Sequence, residues 1–336
     1  MLHKCAARIF RLGIAAMMVA SASAQTLPAP GQVAREVVFD QSSPLAKNSA
    51  LLDRLLSPRQ HEREIEAITA KGAALAPYPL DLSAERFLIY LPKREPPAGY
   101  GLLVFIPPWE DARLPSGWSQ VLDQEGMIFV TAARSGNDES IPGRRIPLAL
   151  TAAHALAERY RVDPERTFIS GFSGGSRVAL RTAVAYPDIF TGVVLNAGGD
   201  PLGGAANPLP SPQLMSLLQT RTRFVFITGE RDEVNVSRDA VTRISLSAWC
   251  VEATQAIVRP NVGHEVMDRN GLAEALGVMG RPYPGGSAQS RRCRSSIDVR
   301  LEHARADVAA LRAQPGSVRV QEQLDRLDLE FGGLLE

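Results

Sequence analysis

Residues 167–176 read TFISGFSGGS, and their reading decides the fold. An apolar run with the composition of a buried strand leads straight into Gly171-Phe172-Ser173-Gly174-Gly175, a GxSxG pentapeptide. Strand and helix are then joined by so sharp a turn that the serine is held in a strained conformation with its hydroxyl raised toward solvent. Gly171, Gly174 and Gly175 remove the β-carbons that would collide there. A helix is expected from residue 175 to 185, ending before Pro187.

Outward from the turn, short apolar runs alternate with helical stretches. RFLIYLP (86–92), GLLVFIPP (101–108) and MIFVTAA (127–133) read as strands, and a helix over 146–160 carries Leu148, Ala152, Ala155 and Leu156 on one face. Beyond the elbow come GVVLNAG (192–198), RFVFITG (223–229), a helix from about 238 to 249, and QAIVRP (255–260). Strands separated by helices of this length imply parallel pairing with right-handed crossovers, and runs apolar throughout suit a sheet covered on both faces. The expected architecture is α/β, a doubly wound, mostly parallel sheet. Ala46 to Lys71 carries helical periodicity interrupted at Pro58, and two candidate helices follow residue 282. Their stripes are Ile297, Leu301, Val308 and Leu311, then Val320, Leu324, Leu327 and Phe331. Such a hairpin would pack on the core or on a second subunit.

A serine hydroxyl is a weak nucleophile unless a base lies within hydrogen-bond reach and a third group fixes the base. His264, in NVGHEV after a predicted strand, is the candidate base; His61, His154 and His303 fall in predicted helices and read as surface or packing residues. For the acid, TGERDEV offers Glu230, Asp232 and Glu233 near the carboxyl end of a strand, where catalytic groups of open α/β sheets gather. Asp232, in the turn itself, is preferred. An oxyanion would be met by the backbone N–H of Gly174. The second donor is expected from the loop FIPPWED (105–111), where prolines cannot donate and Trp109 or Glu110 offers the first N–H. Trp109 and Trp118 could also line a pocket or cover the sheet.

With 336 residues, 45% of them apolar, the chain can bury a large core, and a formal net charge of +1 gives no electrostatic reason to expect nucleic acid as a partner. Lys4, Arg8 and Arg11 precede an apolar stretch over 12–20, and Ala22-Ser23-Ala24 then fits a signal-cleavage site before Gln25. The stretch is too short to span a bilayer, so a secreted or periplasmic protein without a permanent membrane span is expected. Cys5 would leave with the signal, and Cys250 and Cys293 form a candidate disulfide in an oxidising compartment. No CxxC or neighbouring His suggests a metal. No Gly-Lys-Ser/Thr phosphate loop occurs, and the glycines at 198–204 lack GxGxxG order, so no cofactor is expected.

From about residue 86 to 276 the chain resembles the α/β-hydrolase superfamily, and within it secreted esterases similar to poly(3-hydroxybutyrate) depolymerases and feruloyl esterases. The likeness is carried by YRVDPERTFISGFSGGSRVAL, YPDIFTGVVLNAG, TGERDEV and NVGHEV, in the chain order Ser173, Asp232, His264. It implies cofactor-free cleavage of small or polymeric carboxylic esters through an acyl-serine, with Ser173 as nucleophile, Asp232 as acid, His264 as base and Gly174 as an oxyanion donor. The His-Gly usual after the early strand of such enzymes is replaced by Pro107-Pro108-Trp109. The expected division is a signal over 1–24, a partly helical extension over 25–84, a catalytic domain over 85–282 and a helical tail over 283–336, through which a homo-oligomer could form. A serine peptidase or amidase, or a non-catalytic binding protein on the same fold, are the competing readings.

Overall fold

A computed structural model of the protein describes residues 27–281 and 288–335; the expected export signal lies outside them. Eight strands form one sheet in the order β1-β2-β4-β3-β5-β6-β7-β8. They are β1 (Val33–Val37), β2 (Phe87–Tyr90), β3 (Tyr100–Ile106), β4 (Met127–Ala132), β5 (Val162–Phe172), β6 (Gly192–Asn196), β7 (Arg223–Gly229) and β8 (Thr254–Arg259). From β4 through β8 every pairing is parallel, while β2 pairs antiparallel with both β1 and β4. This is the α/β-hydrolase fold. The chain leaves β3 for β4 on one side and returns to β5 on the other, so the crevice at the carboxyl ends of β3 and β5 is the switch point where such sheets place their ligands.

Alternation along the strands divides the core in two. Leu102, Val104 and Ile106 of β3, Ile128 and Val130 of β4, and Val193 and Leu195 of β6 face one cluster. Leu103, Phe105, Phe129 and Val194 face the other. The first cluster is closed by α1 (Asn48–Leu55), α4 (Ile146–Arg159), α5 (Gly174–Ala185) and α6 (Pro212–Thr220); the second by α3 (Trp118–Glu125) and α8 (Arg269–Met279). Both faces being covered is why the strands are apolar throughout. Burying each large side chain here contributes roughly 1.5–3 kcal/mol.

The sheet begins earlier than the likeness suggests, because VAREV at 33–37 supplies β1 from within the expected N-terminal extension. Its residues are largely exposed and its register shifts between Ala34 and Val37, as suits an edge strand. Pro58 separates α1 from α2 (Pro58–Ala70), whose start is closed by a capping box of Ser57 and Gln60. Ser57 also donates to Asp328, and Arg59 and Arg63 hold Asp325 at 2.6 Å, so the N-terminal helices are tied to the C-terminal ones.

The C-terminal hairpin consists of α9 (Ala288–Arg312) and α10 (Val318–Phe331), and it packs on the body of the same chain. Ile297, Leu301 and Phe331 join the first core cluster, while Val308 and Leu311 remain half-buried. Phe331 meets Trp249 edge-on at 6.1 Å, beneath the Arg300 guanidinium. A disulfide between Cys250, after α7 (Glu233–Ala248), and Cys293 of α9 fastens the hairpin across a sequence separation of 43. Closing a loop of that length in the unfolded chain stabilises the fold by up to about 4 kcal/mol. Urea unfolding of a Cys250→Ser/Cys293→Ser variant is therefore expected to show a loss of about 2–4 kcal/mol, with the far-ultraviolet spectrum at low denaturant unchanged.

Candidate active site

β5 runs into α5 with Ser173 alone between them. Its φ of 55° and ψ of −121° lie where a side chain is strained, and the turn is held by the Ser173 N–H donating to Asn196 O at 2.9 Å. Gly171 and Gly175 are required by backbone contact. A Cβ on Gly171 would lie 2.3 Å from the Gly175 carbonyl carbon, and one on Gly175 would lie 2.0 Å from Ile106 O, at the end of β3. A Cβ on Gly174 would fall 2.1 Å from Asn137 Oδ1. None of these glycines has a positive φ; each admits a neighbour that any side chain would displace.

Three distant segments meet at this turn. Ser173 Oγ lies 2.9 Å from His264 Nε2, and His264 Nδ1 lies 2.5 Å from Asp232 Oδ2. The other acids of the segment are elsewhere: Glu230 accepts from Asn261 N at 3.0 Å, and Glu233 opens α7 facing solvent. The Asp232 side chain is only 8% exposed and that of His264 is 44% exposed, so the acid is sheltered while the imidazole borders solvent. Burial pushes the Asp232 carboxyl up, but hydrogen bonds from His264 and Asn235 outweigh it and hold the group below its ordinary value. It stays ionised beside the ring.

Two asparagines that the sequence reading passed over build the surroundings. Asn235, buried in the first turn of α7, donates Nδ2 to both Asp232 oxygens at 2.9 and 3.0 Å and lies 3.2 Å from His264 Nδ1. Asn196 ends β6 and is 2% exposed. Its backbone carbonyl holds Ser173, Nδ2 donates to Ile227 O at 3.0 Å, and Oδ1 accepts from Met267 N at 2.7 Å, so one side chain joins elbow, β7 and the histidine loop. A helix running from Glu233, rather than from about residue 238, is what brings Asn235 under the carboxylate. The run ERDEVN is polar enough to read as a turn.

Trp109 lies half-buried beside the elbow, 6.2 Å from Phe172, which in turn stacks 4.9 Å from the His264 ring; Arg113 covers its outer face at 3.9 Å. Trp118, fully buried, donates Nε1 to Met267 O and belongs to the core. The loop after β3 is pinned from below. Arg145, 2% exposed, donates to Pro107 O at 2.8 Å and to Ser135 O at 2.9 Å, clamping it to the loop after β4. Burial lowers the Arg145 pKa to about 10, which leaves it a cation at neutral pH.

One further carboxyl lies beneath the acid. Asp239, one turn of α7 beyond Asn235, accepts from Thr228 Oγ1 at 2.5 Å, and burial raises its pKa from 3.8 to about 6. Its folded-state pKa exceeds the unfolded one, so its contribution to stability is complete below about pH 4 and is lost as pH rises through about 6. Asp239→Asn keeps the acceptor for Thr228 without the charge. It is expected to stabilise the protein by about 1–3 kcal/mol at pH 8, a gain shrinking toward pH 4 in parallel urea titrations; a gain independent of pH would contradict this account.

No protein-family model matches the chain. Over 98 residues, 25% of its length, it is 28% identical to a poly(3-hydroxybutyrate) depolymerase of Ralstonia pickettii, and it spans only 20% of that protein. Among solved structures it is similar to a ferulic acid esterase, at 17% identity and a TM-score of 0.43, over 57% of this chain and 88% of the other. An acetyl xylan esterase from Aspergillus awamori gives 16% and 0.44, over 58% and 94%. An enterobactin and salmochelin hydrolase gives 16% and 0.41, over 59% and 89%.

Proposed function

We propose that this protein is an exported serine hydrolase of carboxylic esters. The observation that carries the reading is the continuous contact from Ser173 Oγ through the His264 ring to the Asp232 carboxylate, at 2.9 and 2.5 Å. An ionised, sheltered carboxylate fixes the tautomer in which Nδ1 carries the proton and Nε2 can accept one. His264 then takes the hydroxyl proton as Ser173 Oγ attacks the ester carbonyl carbon, and the imidazolium formed is stabilised by Asp232. The tetrahedral oxyanion is met by the Gly174 N–H, one of the first-turn groups of α5 that have no intrahelical acceptor. His264 next returns the proton to the departing alcohol, leaving an acyl-serine. Water, deprotonated by the same ring, releases the acid.

Two features favour esters reached from outside the fold. The imidazole borders solvent, and the neighbouring Trp109 and Phe172 offer an apolar wall against which an acyl or aryl group can lie. Export is supported by the signal-like residues 1–24 and by the Cys250–Cys293 disulfide, which suits an oxidising compartment. Among the described residues no helix is long and apolar enough to cross a membrane. Residues 85–282 would then hold the catalytic machinery, with β1 from the 25–84 extension and the tail over 283–336 completing its scaffold.

Hydrolysis of p-nitrophenyl esters of graded acyl length tests the reading. The wild-type chain is expected to turn them over, with Ser173→Ala and His264→Ala each lowering kcat by at least about 10³-fold and Asp232→Asn by about 10²–10⁴-fold. Turnover of amide but not ester reporters would make the protein a peptidase. No turnover of either, with no fluorophosphonate label on Ser173, would make it a binding protein.

A further inference from the structure

The reaction needs two donors for the oxyanion, and the loop after β3 is poorly furnished with them. Pro107 and Pro108 have no N–H, which leaves Trp109 as the first residue there able to donate, while the Pro108 carbonyl accepts from the Asn137 N–H at 3.2 Å. A side chain from the loop after β4 approaches the residue that follows the nucleophile. A Cβ built on Gly174 would stand 2.1 Å from Oδ1, 2.8 Å from Cγ and 3.1 Å from Nδ2 of Asn137. The carboxamide therefore lies beside the α-carbon of the residue that follows Ser173, and a side chain at position 174 would have to push it aside.

We propose that the Asn137 carboxamide is the second oxyanion donor, a catalytic residue supplied by the loop after β4. This deepens the serine-esterase reading and rests on it. Among the described residues the Asn137 side chain makes no hydrogen bond, whereas its backbone is anchored to Pro108 and the preceding Ser135 carbonyl is gripped by buried Arg145. An amide with no other partner, on a loop whose backbone is anchored, can turn Nδ2 toward the developing charge without breaking a hydrogen bond. Donation from Nδ2 together with the Gly174 N–H would bracket the oxygen as the carbonyl becomes tetrahedral. The Pro107-Pro108-Trp109 sequence is then tolerated because the loop after β3 need not supply the second donor. Its part is to seat Asn137.

Asn137→Ala and Asn137→Asp, both at an exposed position, test the assignment against the wild type. Expected is a fall in kcat of about 10²–10³-fold with KM within about threefold, and an equal fall in affinity for a trifluoromethyl ketone, whose adduct carries the oxyanion. Affinity for the product acid and the urea midpoint should stay unchanged, which a merely structural role would not predict. The aspartate variant, which places negative charge beside the oxyanion, should be no better than alanine. If the wild-type enzyme hydrolyses esters and Asn137→Ala keeps kcat and ketone affinity within about threefold, Asn137 is not the donor and Ser173 still is the nucleophile. If the wild-type chain hydrolyses no ester and Ser173 takes no fluorophosphonate, the underlying reading fails and this inference with it.

Discussion

The site depends on one close approach of backbones. Ser173 adopts a positive φ of 55° between β5 and α5, and that turn fits because Gly171 and Gly175 leave no Cβ where neighbouring backbone already lies. An alanine at position 175 would drive a methyl into Ile106 O, at the end of the adjacent strand, and the elbow and β3 could not both keep their places. Strain of this kind, of the order of 1–3 kcal/mol, persists only where the surroundings over-determine it. Here they are two buried core faces and the parallel ladders that fix β5 between β3 and β6.

Around that turn, buried polar groups are used to join loops. Asn196 links the elbow to β7 and to the segment after His264, and Arg145 clamps the loops after β3 and β4. Asn235 steadies Asp232. Such groups are costly when unpaired and rigid when paired, so they trade stability for geometry. Burial acts differently on the acid that caps α7 and on the one inside it. Asp232 gains enough hydrogen bonds to stay ionised, while at Asp239 burial outweighs the bond from Thr228 and raises the pKa.

Much of this was legible in the residues. The strands from residue 86 onward are apolar because both faces are covered, and GxSxG, TGERDEV and NVGHEV stand at carboxyl ends of strands, where the fold leaves room for chemistry. Ser173 and His264 could therefore be picked out as candidates from chain order and Asp232 from its place in the turn, and the three side chains do meet; the two cysteines could likewise be paired. What escaped has physical reasons. β1 is an exposed edge strand without an apolar alternation, and α3, α6 and α8 are short, with their periodicity spread over two turns or three. The roles of Asn137, Asn196 and Asn235 arise from contacts across loops, which no local pattern encodes. Only the doubled glycine after Ser173 hinted that something would press on position 174.

Rapid-quench mass spectrometry with a slowly deacylated ester tests the central claim most directly. If Ser173 is activated by His264, a burst of product should accompany a stoichiometric acyl adduct on the peptide containing Ser173, and the His264→Ala variant should form it slowly or not at all. Multiple turnovers without any adduct on that peptide, or an adduct formed equally fast without the imidazole, would contradict it.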